Sequence, residues 1–203
     1  MNSNEVLPTV KVVLLGEAGV GKTSIIHRYT KDTFANNCSS TTGSSFVSKR
    51  LNVNNTDLQL DIWDTAGQEK YRALTKYFYK DADIAILVYD IVNKESFDSL
   101  KNYWVNQIRE NGDKDIIIGV AGNKSDSYMN EDVSEEEAEK FANEINSFFV
   151  LTSAKSNTGI KELFIMAGEK YLEKKKGKNL EKETQNDSIR LDNKKVKKKG
   201  KCC

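Results

Sequence analysis

The chain of 203 residues contains no run of 18 apolar residues, which excludes a membrane-spanning helix. Its first residues, Met1-Asn2-Ser3-Asn4, lack the basic and apolar regions of a secretory signal, and Asn at position 2 excludes N-myristoylation. Cysteine is scarce: Cys38 stands alone and Cys202-Cys203 close the chain. That distribution is no disulfide framework and suits a reducing, intracellular compartment. There is one histidine, His27, placed in a helical stretch without a partner motif, so it reads as a packed or surface residue rather than a catalyst. Internal repeats are absent.

Charge is unevenly spread. Residues 173–203 hold 12 basic and 5 acidic side chains (net +7), and residues 1–172 hold 19 and 25 (net −6). A mildly acidic body carrying a basic tail predicts contact with an anionic surface. With 38% apolar residues the body can bury one core, so one domain is expected over residues 9–172. Residues 1–8 are expected to be a flexible lead. Residues 173–203, with few apolar and no aromatic side chains, are expected to be a disordered tail.

Val10–Leu15, Ile84–Tyr89 and Ile116–Ala121 are nearly continuous apolar runs, as expected of parallel strands covered on both faces, and Phe148–Leu151 is another. From Val47 to Ile62 the pattern alternates, with Asn54-Asn55 at its middle, which predicts an antiparallel hairpin. Helical stripes follow: Phe97, Leu100, Trp104 and Ile108; Ala138, Phe141, Ala142 and Ile145 after the capping box Ser134-x-x-Glu137; and Ile160, Leu163, Phe164, Ala167 and Tyr171. The expected fold is α/β: a doubly wound, six-stranded, mostly parallel sheet with helices on both faces and one antiparallel edge strand. In such folds ligands sit at the carboxyl ends of the strands.

Three motifs fall at such ends. Gly16-Glu17-Ala18-Gly19-Val20-Gly21-Lys22-Thr23, followed by Ser24, fits a P-loop, in which backbone N–H groups surround the β-phosphate. Lys22 would bridge β- and γ-oxygens, and the Thr23 hydroxyl would take Mg²⁺. Asp64-Thr65-Ala66-Gly67-Gln68 places a carboxylate for the Mg²⁺ site, a Gly67 N–H for a γ-phosphate, and Gln68 to orient attacking water. Asn123-Lys124-Ser125-Asp126 fits guanine, whose N1–H and N2 amino group offer one carboxylate two donors; adenine has no such pair. Asn123 would tie loops together and the Lys124 stem would lie along the base. Ser153-Ala154-Lys155 offers a backbone N–H for guanine O6. Each motif alone is also compatible with an ordinary turn.

With these residues the sequence resembles the Ras superfamily of small GTPases and, within it, the Rab family, from about Val10 to Tyr171. The resemblance implies that Thr41 is a switch threonine on Mg²⁺ and the γ-phosphate, and that Phe34 packs edge-on against the base. Phe46, Trp63 and Phe78 match an aromatic triad that meets effectors; for Trp63 core packing is the alternative. Lys70-Tyr71 after Asp64–Glu69, and Tyr77-Phe78-Tyr79, are Rab-like. Gln68–Tyr71 and Val88-Tyr89-Asp90-Ile91 look most like the endosomal branch. Cys202-Cys203, after six lysines between Lys194 and Lys201, resembles a doubly prenylated ending. Departures lie at Thr42, Ser44-Ser45, Phe78, Lys80-Asp81 and Leu151, and Ala18 sets a methyl beside the γ-phosphate position.

The resemblance implies a GTP-hydrolysing switch in vesicular transport, with Mg²⁺ as cofactor and the cytoplasmic face of an endosomal or vesicular membrane as its place, beside a cytosolic pool. Its implied partners are an exchange factor, a GTPase-activating protein, a GDP dissociation inhibitor, a Rab escort protein and effectors. A monomer without nucleic-acid partners is expected. Two other classes compete: a nucleotide-binding module with little turnover, to which Ala18 is the pointer, and a P-loop kinase or ATPase, which needs no guanine-reading motif.

Overall fold

The computed structural model describes residues 7–35, 41, 43–65 and 78–196, with side chains as far as residue 178. Six strands form one sheet in the order β2-β3-β1-β4-β5-β6, where β1 is Thr9–Leu15, β2 Ser45–Val53, β3 Thr56–Asp64, β4 Ile84–Asp90, β5 Ile117–Asn123 and β6 Phe148–Leu151. Every pairing is parallel except β2 with β3, which places the one antiparallel strand at an edge, as expected.

The hairpin turns on Asn54 and Asn55, with φ of 50° and 62°. Two consecutive left-handed residues match the right-handed twist of the flanking strands, and asparagine tolerates that conformation better than most residues. In register, Val53 faces Thr56 and Ser45 faces Asp64, so the hairpin delivers Asp64 to the sheet's C-terminal end.

Alternation along the central strands sorts the core into two layers. Val10, Val12 and Leu14 of β1, with Ile84, Ile86 and Val88 of β4, pack on one face beneath helix α1 (Lys22–Lys31) and the terminal helix α5 (Ile160–Val196). Val13, Leu15, Ala85, Leu87 and Tyr89 pack on the other face. There lie α2 (Lys94–Ser99), a π-helical turn (Leu100–Trp104), α3 (Val105–Asn111) and α4 (Glu135–Glu144). Tyr29 of α1 stacks on Phe164 of α5 at 3.8 Å between ring centroids, locking the first layer. All three expected helical stripes face the core, although Phe97, Leu100, Trp104 and Ile108 do so through the π-turn rather than along one continuous α-helix.

Two expectations change. Ser134 caps α4 by accepting from the Glu137 N–H at 3.2 Å, but the Glu137 carboxylate is bound to Lys94 and Lys101, so the reciprocal half of the capping box is replaced by ion pairs to α2 and the π-turn. The stretch expected to lose structure after Leu172 is helical as far as Val196. Its apolar stripe ends near Tyr171, so the extension rests on lysine, glutamate and leucine as good helix formers, with Lys178 also paired to Asp115 at 2.6 Å.

Candidate functional site

The loop from β1 to α1 is curled by glycines that other residues cannot replace. Gly16 has φ of 143°, and a Cβ there would lie 2.1 Å from the Val88 carbonyl oxygen; Gly21 has φ of 97°, and a Cβ there would lie 2.3 Å from Asn123 Nδ2. Inside the curl, the Lys22 ammonium donates to the Gly16 and Glu17 carbonyls at 2.8 Å each. Burial pushes its pKa down to about 8, against the opposing pull of the Asp64 and Glu17 carboxylates. Val20 is buried, Glu17 half-buried, Ala18 and Gly19 are exposed, and Ser24 is half-buried behind Thr23.

Beside this loop three oxygens from three segments meet. Thr23 Oγ1 donates to Asp64 Oδ2 at 2.7 Å and lies 2.7 Å from Thr41 Oγ1. Asp64 is 2% exposed, and its Oδ1 has no hydrogen-bond partner among the described residues. Burial raises its pKa, although the Thr23 hydroxyl and the Lys22 charge pull the other way. The described residues contain no cluster of three His, Cys, Asp or Glu side chains, so a metal here must rely on hydroxyls and one carboxylate. Hard oxygen donors around an unpartnered carboxylate oxygen suit Mg²⁺ completed by phosphates. Thr65, next along the chain, is fixed by its hydroxyl's bond to the Leu14 carbonyl at 2.6 Å. Ala66, Gly67, Gln68 and the rest of 66–77 lie outside the described residues, as does Thr42.

The second half of the site lies at the ends of β5 and β6. Asn123 is buried; its Nδ2 donates to the Val20 carbonyl at 2.8 Å, and its Oδ1 accepts from Thr152 Oγ1 at 3.3 Å and the Ala154 N–H at 3.4 Å. The expected tie between loops is therefore present, and it engages the Ala154 N–H. Asp126 accepts from Ser153 Oγ at 2.6 Å and pairs with Lys155 at 3.5 Å. Partial burial works to raise its pKa, but Ser153, a backbone N–H and Lys155 outweigh it, so the carboxyl stays below the usual range. It is thus ionised at neutral pH, the form that accepts two hydrogen bonds. Phe34 packs on the α1 and α5 layer of the core.

Several participants were not singled out from the sequence. Asp90 holds the Lys124 ammonium. Arg28 of α1 donates through Nε to the Ala154 carbonyl at 2.8 Å and through Nη2 to the Lys155 carbonyl at 3.3 Å, bracing the 153–155 loop from below. On the outer surface, Phe46, Trp63 and Phe78 form a continuous aromatic row, with centroids 5.1 and 5.9 Å apart. Phe46 is 51% exposed, whereas Trp63 and Phe78 are half-buried against the second core layer, so packing and display are combined in one row. Cys202 and Cys203 lie outside the described residues.

Comparison with known proteins agrees with this geometry. The Ras family model matches residues 11–173. The human Ras-related protein Rab-22A is 45% identical over 159 residues, covering 78% of this chain and 81% of its own. RABF2a of Arabidopsis thaliana is 44% identical over 154 residues, with 76% of each chain covered. Bovine Rab-21 is 44% identical over 155 residues, covering 76% of this chain and 69% of its own.

Proposed function

The chain belongs to the Ras family, among its Rab proteins, and is a GTPase; from that premise we propose that it works as a membrane-anchored switch in vesicular transport. The observation that carries the switch in this reading is the convergence of Lys22, Thr23, Thr41 and Asp64 at one end of the sheet, with Asp64 Oδ1 without a partner among the described residues.

In this reading the curled loop holds the phosphates by its N–H groups, and Lys22, kept in place by two carbonyls, reaches the phosphate oxygens. Asp126 accepts from the base, and Asn123 holds the phosphate and base halves of the site in register. Thr23, Thr41 and Asp64 would hold Mg²⁺, which supplies positive charge against the developing charge of the phosphate oxygens. Gln68 positions the attacking water, and an arginine from an activating protein completes the site. Thr41 belongs to a segment that contacts the γ-phosphate only in the GTP state, which makes the neighbouring aromatic row an effector surface whose setting changes with nucleotide. Exchange factor, GDP dissociation inhibitor and escort protein complete the cycle. The described residues contain no helix long and apolar enough to cross a membrane, so attachment is assigned to lipids on Cys202 and Cys203 assisted by the lysines before them. An endosomal membrane is the compartment suggested by the likeness to that branch.

Single-turnover hydrolysis of bound GTP by wild type and Gln68→Leu tests the reading. The variant should retain nucleotide and lose most of its rate, since the side chain acts in the transition state rather than in ground-state binding. Equal rates in the two proteins would remove Gln68 from the mechanism.

A further inference from the structure

Glu17, the second residue of the phosphate loop, does two things at once. Its carbonyl accepts from the Lys22 ammonium at 2.8 Å, and its carboxylate reaches across to the opposite layer of the molecule. There Glu17 Oε1 accepts from the indole Nε1–H of Trp104 at 3.3 Å and from the Ser99 hydroxyl. Trp104 is 1% exposed and ends the π-helical turn Leu100–Trp104, which begins directly after Ser99. A π-turn inside a helix is uncommon and shifts the direction of the side chains that follow it. Here it coincides with a buried indole that keeps its ring in the core and gives its one donor to a loop carboxylate.

We propose that Trp104 and Ser99 are positioning residues of the phosphate loop, acting through Glu17 to hold the carbonyl that faces Lys22. Gly16 and Gly19 leave the start of this loop conformationally free, with φ of 143° and 80°. A charged acceptor fixed by two donors from a packed helix removes that freedom before any phosphate arrives. Pre-organisation of this kind acts mainly on the rate at which a ligand leaves. The clamp therefore slows nucleotide release.

The inference rests on the assignment of residues 16–23 to phosphates, and Lys22→Ala tests that assignment separately by loss of bound nucleotide. The test of the clamp is stopped-flow release of a fluorescent GDP from the full chain. Trp104→Phe keeps an aromatic ring but deletes the pyrrole half of the indole with its donor; release should quicken about tenfold or more there and in Ser99→Ala, since a hydrogen bond to a charged group is worth at least about that factor. Glu17→Gln keeps an acceptor oxygen but loses the charge and should release at an intermediate rate, whereas Glu17→Ala should release fast. Adding Trp104→Phe to Glu17→Ala should then change nothing more, because both remove one interaction. Phe97→Leu, a buried neighbour on α2, should lower the melting temperature without altering release, which separates positioning from general destabilisation. Wild-type release in both Trp104→Phe and Ser99→Ala, or additive effects in the double variant, would overturn the clamp. If Lys22→Ala also kept its nucleotide, the phosphate assignment would fall with it. Should Trp104→Phe not fold, Ser99→Ala and the Glu17 pair decide alone.

Discussion

Asn123→Ala should unfasten the two halves of the site, and the cost can be worked from its contacts. The side chain is 2% exposed and bonds to Val20, Thr152 and Ala154, which belong to the phosphate loop and the 152–154 loop. Truncation leaves the Val20 carbonyl without its 2.8 Å donor, and a buried acceptor left unpaired costs about 1–3 kcal/mol. The bonds at 3.3 and 3.4 Å are longer than the usual range and add roughly 0.5 kcal/mol each. The total is about 2–4 kcal/mol, a large share of the ~5–15 kcal/mol that holds a typical domain together. For a chain of this size that lowers the melting temperature by roughly 4–16 °C. Circular dichroism melts of nucleotide-free protein measure the tie alone. Melts at saturating GDP should show a larger loss, because weaker binding also removes ligand stabilisation. A nucleotide-free variant melting within about 1 °C of wild type would mean that the loops are held by something else.

Asp126→Asn should shift preference from guanine toward xanthine nucleotides, since an amide can donate to the base O2 that replaces the N2 amino group; competition of GDP against XDP reads the change, and a retained GDP preference counts against this residue. Gly21→Ala should abolish nucleotide retention, because φ of 97° and a Cβ 2.3 Å from Asn123 Nδ2 force the loop or the tie to move; measured nucleotide content near wild type would contradict the geometry. Replacing Cys202 and Cys203 together by Ser should release the protein from membranes in cells, whereas neutralising the lysines should only weaken attachment, since salt screens charge and leaves buried lipid chains untouched. Sedimentation of the double-Ser protein with membranes at high salt would assign the anchor elsewhere.

The parts of the site visible in the sequence are those whose backbone geometry admits few residues. Gly16 and Gly21 sit where a side chain would strike another strand or loop, and Asn54-Asn55 sits where the chain needs two left-handed residues. Strand runs were equally legible, because parallel strands covered on both faces read as continuous apolar runs and the hairpin reads as alternation. Side-chain contacts between distant segments leave no such mark. Asp90 and Lys124 are 34 residues apart, Glu17 and Trp104 are 87, and Arg28 and Ala154 are 126. Trp104 shows why: its place in an apolar stripe is fully explained by burial, and nothing in that pattern reveals where its one N–H points. Glu137 misleads in the opposite direction, since its spacing from Ser134 suits a cap while two lysines from other elements offer it stronger, charge-assisted bonds.

These contacts also explain why so many costly features gather at one end of the sheet. Lys22 is an ammonium 5% exposed and held by two neutral carbonyls, and Asp64 is a carboxylate with one buried oxygen that has no partner among the described residues. Neither arrangement favours the empty fold, because desolvated charges are poorly compensated by neutral dipoles. The Lys22 charge is met when the phosphates of a nucleotide enter, and the Asp64 oxygen would be met by the cation that accompanies them. The rest of the machinery consists of the buried Thr65 bond to Leu14, the buried Asn123 tie and the part-buried Glu17 clamp. Rigid ties around poorly satisfied charges give a site whose largest gain comes from filling it. A switch needs that imbalance, since a pocket comfortable when empty would gain less from its nucleotide and hold it less tightly between exchanges.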